Sequence, residues 1–343
     1  MLERKTAPHI AAKRRLMDYI KVVPAGASRR LPPEPVLAKE LGLSVWAMKK
    51  ALLLLEQEGR VVIVPRKGNF IASTPAAPRF AIVWRDVSAK STCLGSLELL
   101  EGLFGVLKTK VGTINSVQTA NHLEIPDLLE SYNFDGVVFV GGFGLSDDFK
   151  AIASNTRIPY VAISDDAKYF DMPNCFSLDH EASGRLRAEF MVARGHRAIA
   201  CMTARDGLAA RGFCAAAAAH GFTAPLFEVT EIQRRLPRVL DGPATALILD
   251  GHIRPQTECF ELIERHPRHA EIEVMIDYAG PMSLDLVKAH PKVNVVALNK
   301  VPLGEMGRAA GRALLERVEF GTPVEGGKFI TVLIRPDGSG GSL

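Results

Sequence analysis

At 343 residues the chain is long enough for two or three domains and a substantial core. The composition is globular, and no apolar run approaches the roughly 18 residues of a membrane span, nor does the charged amino terminus resemble a signal peptide. Charge is uneven: residues 1–79 hold 15 Lys/Arg against 6 Asp/Glu, and the remainder 27 against 32, the balance expected of a nucleic-acid-binding module joined to an acidic domain.

Five cysteines (Cys93, Cys175, Cys201, Cys214, Cys259) are scattered without CxxC spacing. They read as small buried apolar residues in a cytoplasmic protein, not as a disulfide framework or a zinc site. In chain order, Ile10, Leu16, Met17 and Ile20 recur at helical spacing before "PAGASRRLPPEP" breaks the pattern. Pro35, tolerated in a first turn, opens a short helix that ends at Gly42. Ser44 is placed to cap a third helix with the apolar stripe Met48, Ala51, Leu52 and Leu55, and Gly59 suits its carboxyl end. "RVVIV" and "PRKGNFIAS" then read as two strands around a basic turn. Helix, helix–turn–helix and hairpin together predict a winged helix over residues 1–72.

Residues 30–72 resemble the winged-helix domain of the GntR family of bacterial transcription factors. The likeness is carried by Leu31, Pro32, Glu34, Leu37, Ala38, Leu41, Gly42, Ser44, Ala51, Leu52, Leu55, Glu56, Gly59, Gly68 and Phe70. It implies double-stranded operator DNA as a partner, with Arg30, Ser44, Val45, Trp46, Ala47, Lys49, Lys50, Arg66, Lys67 and Gly68 as the DNA-facing set. The chain departs from the family at Pro35, where an arginine is usual, and at Val45-Trp46-Ala47, where a polar Arg–Thr–Thr-like stretch is usual. Val45 and Ala47 offer only apolar contacts, for instance to a thymine methyl, while Trp46 either does the same or packs inward. Lys49, Lys50, Arg66 and Lys67 are then expected to supply affinity through phosphates. Leu53 and Leu54 make the third helix apolar nearly all round, which implies packing on the linker or on a partner subunit.

After the linker "STPAAPR" (73–79), strands and helices alternate to the end of the chain, predicting parallel sheets covered by helices in two lobes. Lobe 1 is expected over about 80–178 and 299–320, and lobe 2 over about 179–298 and 321–338. Residues 79–338 resemble the effector domain of the LacI family, a periplasmic-binding-protein-like fold. "IPYVAIS", "FSLDHEASGRLRAEFMVARGHRAIACM", "RGF", "ALNKVPLGEMGRAAGRALLERV" and "VLIRPDGS" fall in the family's order. The fold class is thus α/β, a winged helix-turn-helix followed by a two-lobed domain with two parallel sheets, a combination similar to that of arabinose-responsive repressors.

That resemblance implies a small polar effector, a sugar or sugar derivative, bound between the lobes. Arg211 stands in the place of an effector-binding arginine, and Asp277 matches a strand-end aspartate; a guanidinium donates to hydroxyls and a carboxylate accepts from them. Trp84 either stacks on a sugar face or packs in the core. Asp86, Asp165 and Asp166 follow strands and are expected at the cleft or its rim. Asp250 and His252 follow "ALIL" where the family commonly has an Asn-Asp pair, and His252 has no neighbours at metal-ligand spacing. "GGFGLSDD" lacks the third glycine of a dinucleotide motif because Asp147 stands there. No catalytic constellation, cofactor or metal is expected. The expected protein is a cytoplasmic, dimeric, ligand-responsive repressor, with a solute-binding protein or an enzyme on the same scaffold as the rivals. Helices near 95–110 and 302–318 are the candidate dimer surfaces.

Overall fold

The structure, a computed structural model, describes residues 8–23, 29–72, 77–85, 94–108, 110, 112–119, 125, 129, 134–141, 156, 158–164, 173–203, 207–250 and 253–338. Two compact units emerge. One comprises residues 1–86, 106–161 and 314–323, and the other 87–105, 162–313 and 324–343.

The first unit begins with three helices, α1 (Pro8–Val22), α2 (Glu34–Glu40) and α3 (Val45–Gln57), and an antiparallel hairpin of β1 (Val61–Val64) and β2 (Gly68–Ile71). Ser44 caps α3, its hydroxyl accepting from the Ala47 N–H at 3.2 Å, which satisfies one of the otherwise orphaned amides of the first turn. Gly42 before it has φ +63°, a backbone region that lets the chain reverse between α2 and α3. Leu16, Leu37, Met48, Ala51, Leu52, Leu55 and Val61 form one buried core, so the helical stripe read from α3 is the face that packs. A bridge between Arg30 and Phe70 adds a third short extended segment to the hairpin.

The first six-stranded sheet has the order β13-β7-β6-β5-β3-β4. Its strands are β3 (Arg79–Arg85), β4 (Thr113–Thr119), β5 (Gly136–Gly141), β6 (Tyr160–Ser164), β7 (Cys175–Leu178) and β13 (Gly327–Phe329). The pairs β3–β4, β3–β5, β6–β7 and β7–β13 are parallel. α4 (Leu94–Leu107) follows β3 in the chain.

The second sheet runs β14-β12-β11-β10-β8-β9. It is built from β8 (Ile199–Thr203), β9 (Leu226–Glu228), β10 (Ala246–Leu249), β11 (Glu273–Asp277), β12 (Val295–Lys300) and β14 (Val332–Ile334). Only β14 is antiparallel among its described pairs. The connecting helices are α5 (His180–Ala193), α6 (Leu208–Ala219), α7 (Ile232–Asp241), α8 (Ile253–Arg265), α9 (Pro281–Ala289) and α10 (Leu303–Phe320). β8 and β10–β12 are short apolar runs, as strands covered on both faces require. Leu247, Leu249, Val274 and Ile276 pack against α7 and α8 on one face of the sheet; Ile248, Met275 and Ala297 join the cluster of α5 and α6. Strand order reverses between β8 and β10, and in such sheets ligands sit outside the carboxyl ends of the strands at that reversal. No helix among the described residues is long and apolar enough to cross a membrane.

One boundary differs from the sequence expectation. The sequence pattern places all of 321–338 in the second lobe, yet β13 pairs with β7 on the first sheet and only β14 joins the second. A three-residue strand carries no alternation pattern, so tertiary pairing alone decides which sheet receives it.

Candidate functional site

On the head, the first turn of α3 divides sharply. Val45 and Trp46 face solvent, Trp46 being 58% exposed, and Lys49 and Lys50 are exposed one turn later. Ala47 is 1% exposed and belongs to the core. The expectation that Ala47 meets DNA is therefore corrected: its methyl is occupied by Leu-rich packing, and its N–H by the Ser44 cap. Ser44 likewise commits its hydroxyl to that cap. Trp46 does not pack inward. Its ring lies 5.3 Å from the Lys50 ammonium, a cation–π distance, and meets the His9 ring edge-on at 6.2 Å. Leu53 is also exposed, so the apolar outer side of α3 finds only part of its expected cover.

The hairpin turn presents Arg66 and Lys67 to solvent. Lys67 N–H donates to Val64 C=O at 3.0 Å, Pro65 precedes the bend, and Arg66 has φ +65°. These are the features of a type II turn with arginine where glycine is usual. Arg30 stands beside Gly68, its guanidinium nearest the space above the glycine Cα. Trp46, Lys49, Lys50, Arg66 and Lys67 thus form an exposed basic set with one large apolar side chain in it.

The second site stands at the carboxyl ends of β10, β11 and β12. Asp250 follows β10, Asp277 ends β11, and Asn299 lies on β12 in register with Asp277. Between the two carboxyls lies Arg187, a residue that no motif in the sequence singles out. It is buried on α5, with Nη1 2.9 Å from Asp250 Oδ1 and 3.6 Å from Asp277 Oδ1. Asn299 Nδ2 donates to Asp277 Oδ1 at 2.7 Å. Gln256 Nε2 donates to the Asp277 carbonyl at 3.1 Å, and the Ser283 hydroxyl donates to the same oxygen at 3.3 Å while accepting from Ala279 N–H at 2.8 Å. Backbone and side chain of Asp277 are both held.

The electrostatics follow from burial. Desolvation first, then the Asp250 carboxylate, push Asp277 well above the usual carboxylate range, against the opposing pull of Arg187 and Asn299. Burial opposes the charge on Arg187, but Asp250 and Asp277 outweigh it and raise its pKa. Nearby Cys201 is raised by burial and by Asp250, so its thiol stays protonated. Burial also raises Cys175 to about 11 and Cys259 to about 12, which removes both as thiolate nucleophiles.

Arg211 is exposed on α6, and Arg187 is the guanidinium within ion-pair distance of the Asp277 carboxyl. Trp84 lies on β3 in register with Gln118 and Val140. Asp86, Asp165, Asp166 and His252 lie outside the described residues. Arg187 and Asn299 have no local signature that sequence reasoning could find: one sits in an ordinary helical segment and the other in an apolar strand.

No family model and no curated protein matches the sequence. Solved structures do match. A LacI-family regulatory protein from Chloroflexus aggregans superposes with a TM-score of 0.61 at 17% identity, over 77% of this chain and 99% of that one. The trehalose repressor from Escherichia coli gives 0.55 at 15% identity, over 75% and 100%. A complex of the transcriptional regulator CelR with cellobiose gives 0.57 at 16% identity, over 97% and 100%. The fold is the one these regulators share. It is α/β with two sheets of mainly parallel strands, and it is shared as well by a glucose-galactose binding protein from Geobacillus stearothermophilus, with a TM-score of 0.56 at 18% identity.

Proposed function

We propose that the chain is a ligand-responsive transcriptional regulator, a repressor that acts as a homodimer in the cytoplasm. Its first 72 residues serve as a GntR-type winged helix on double-stranded operator DNA, and its two-sheet domain takes a small polar metabolite, a sugar or sugar derivative. The observation that carries this reading is the exposed set Trp46, Lys49, Lys50, Arg66 and Lys67 on a head helix and hairpin turn. It is joined in one chain to a fold that solved LacI-family regulators share. The rival of a solute-binding protein does not account for that basic set, and the solved structures of this fold that match are regulators and sugar-binding proteins. Effector can change DNA affinity only by binding two states of the protein unequally.

The test is DNA binding against salt. Full-length protein should bind genomic operator fragments with affinity that falls steeply as salt rises. Lys49→Ala, Lys50→Ala or Lys67→Ala should each flatten the log-affinity against log-salt slope by about one unit for every phosphate left without its cation. Binding that ignores salt, or no binding to any fragment upstream of the gene, would refute the regulator.

A further inference from the structure

The second sheet carries a cavity at the edge opposite Asp250 and Asp277. It lies where the chain enters β8, β9 and β10, between the carboxyl end of α6 and the outer side of α7, and its volume is about 1020 Å³. Four arginines line it, Arg197 before β8 and Arg234, Arg235 and Arg238 on α7, and among the described residues no carboxylate does. Ile232, Leu236 and Leu240 bury the inner face of α7, which turns its arginines outward to the cavity.

The fold answers only part of that charge. Glu231, just before α7, accepts from Arg234 Nη2 at 2.6 Å and from Arg235 Nη1 at 3.4 Å, and its Oε2 also accepts from Glu228 N–H at 3.1 Å. One carboxylate thus serves two guanidinia. Arg197 donates through Nη1 to Val192 C=O at 3.0 Å and to His196 C=O at 2.8 Å, which anchors the side chain without neutralising it. Arg238 is exposed and has no hydrogen bond or ion pair among the described residues. Arg234 and Arg238 stand four residues apart on α7, a like-charge spacing that weakens a helix. A helix carboxyl end attracts cations, but the end of α7 is already served by Arg268, whose guanidinium donates to the carbonyls of Leu240, Gly242 and Ala244. At the end of α6 the carbonyls of Ala216, Ala217 and Ala218 accept from His220, Phe222 and Gly221 N–H. The cavity therefore presents positive charge beside carbonyls that are already hydrogen-bonded, the setting that attracts an anion.

Phe222, Pro225, Val239 and Pro243 add apolar wall. Guanidinia receive phosphate oxygens through paired N–H donors, and a flat ring gains contact from apolar and guanidinium surfaces alike. A cavity of this volume takes a whole small molecule and exceeds what a lone phosphate ion fills. We propose that it is a second ligand site, separate from the strand-end cluster, and that its ligand is a nucleoside diphosphate or triphosphate. The phosphates meet Arg197, Arg234 and Arg238, and the base lies against Phe222 and its apolar neighbours. A neutral sugar brings no charge to the guanidinia, and a bare inorganic anion leaves the apolar wall uncovered. The inference does not depend on the regulator reading, because every residue of the site belongs to the second unit.

The experiment is calorimetry on the full-length protein with ADP, AMP, adenosine and pyrophosphate in magnesium-free buffer. ADP should bind about tenfold more tightly than AMP, since a further phosphate brings further charge-assisted hydrogen bonds, and adenosine should not bind. Pyrophosphate should bind more weakly than ADP, because it leaves the apolar wall bare. Arg238→Ala and Arg234→Ala should each lower ADP affinity on the order of tenfold. Both side chains are exposed, so the melting temperature should stay within about 2 °C of wild type. Arg254→Ala removes the same charge from a side chain 90% exposed at the other end of β10, and should leave ADP affinity as it is. An equal loss in Arg254→Ala would reduce the effect to overall charge, and an equal loss in Lys50→Ala or Lys67→Ala would put the nucleotide on the head. Either result overturns the proposal. So would absence of ADP binding, AMP, adenosine or pyrophosphate binding as tightly as ADP, or ADP affinity indifferent to Arg234 and Arg238. Salt-dependent DNA binding that persists through such a failure leaves the regulator reading in place.

Discussion

Trp46 stands in solvent between two groups that can hold its ring in place, Lys50 one turn along the same helix and His9 on α1. On the proposed reading of α3 as the groove-facing helix, this indole reads thymine methyls and groove shape, since its single N–H offers little hydrogen-bond discrimination. Trp46→Ala therefore should leave the head folded, because the residue is exposed, and should reduce discrimination among operator variants while non-specific affinity persists. The neighbouring Ala47→Leu should do the opposite and destabilise the head by about 1–3 kcal/mol through overpacking; urea unfolding of both variants separates the two roles. At the strand-end site the decisive residue is Asp277. Its pKa is raised above the ordinary 3.8, so the folded protein retains a proton that the unfolded chain gives up. That contribution to stability is complete below the unfolded value and is lost as pH rises towards the raised one. Stability measured from pH 4 to 8 should carry this decline in the wild type and lose it in Asp277→Asn; an unchanged slope would mean that Asp277 is ionised in the fold.

Among the elements, the β1–β2 hairpin holds an arginine in a left-handed conformation. That conformation costs a residue with a Cβ about 1–2 kcal/mol, and glycine is the usual occupant of the position. Arg66→Gly removes the strain but adds about 0.5–1 kcal/mol of unfolded-chain entropy, so the head should gain between about 0 and 1.5 kcal/mol. On the proposed reading the same change should weaken DNA binding and flatten its salt slope, which would show that the strain supports a DNA-facing cation at the hairpin tip. α5 and α6 set a second constraint, because a Cβ on Gly212 would sit 1.8 Å from Glu181 C=O and one on Gly184 1.9 Å from Ala209 C=O. This close crossing brings Arg187 on α5 under the second sheet. Most of the element pattern is legible in the sequence: strands and helices alternate beyond the linker, as expected, and α3 follows its capping Ser44. Continuous apolar runs bounded by turns announce strands reliably. The site is legible only where a residue ends such a run, as Asp250 and Asp277 do. Arg187 is not, because "GRLRAEF" carries its arginines as a solvated helix face would, and burial of one of them is decided by Asp250, 63 residues away. Arg211 is legible for the opposite reason: its local motif is familiar.

On the scale of the molecule, the head joins the first sheet's strands through buried charge. Glu58, at the end of α3, holds Lys13 of α1 at 2.5 Å and Arg79 at the start of β3 at 3.0 Å, and Lys13 is only 2% exposed. Arg60 pairs with Asp135, just before β5, and the same Asp135 oxygen accepts from the Arg79 N–H at 3.0 Å. Two strands of the first sheet are thus tied to the head by ion pairs as well as by the linker. Such pairs have discrete made and broken arrangements, which is what a connected network needs in order to pass a change of state. Glu58→Gln takes a carboxylate from two cations, one of them buried, and should destabilise the protein by about 3 kcal/mol in denaturant. Asp135→Asn is milder, since an amide oxygen still accepts from Arg79 while the charge on Arg60 is left without its partner. It should keep DNA affinity and effector affinity each within about twofold of wild type, yet shrink the shift that effector causes in DNA affinity, a coupling ordinarily of about 1–3 kcal/mol. The measurement is operator affinity with and without saturating effector for both proteins. An undiminished shift in Asp135→Asn would mean that the signal reaches the head through the linker alone.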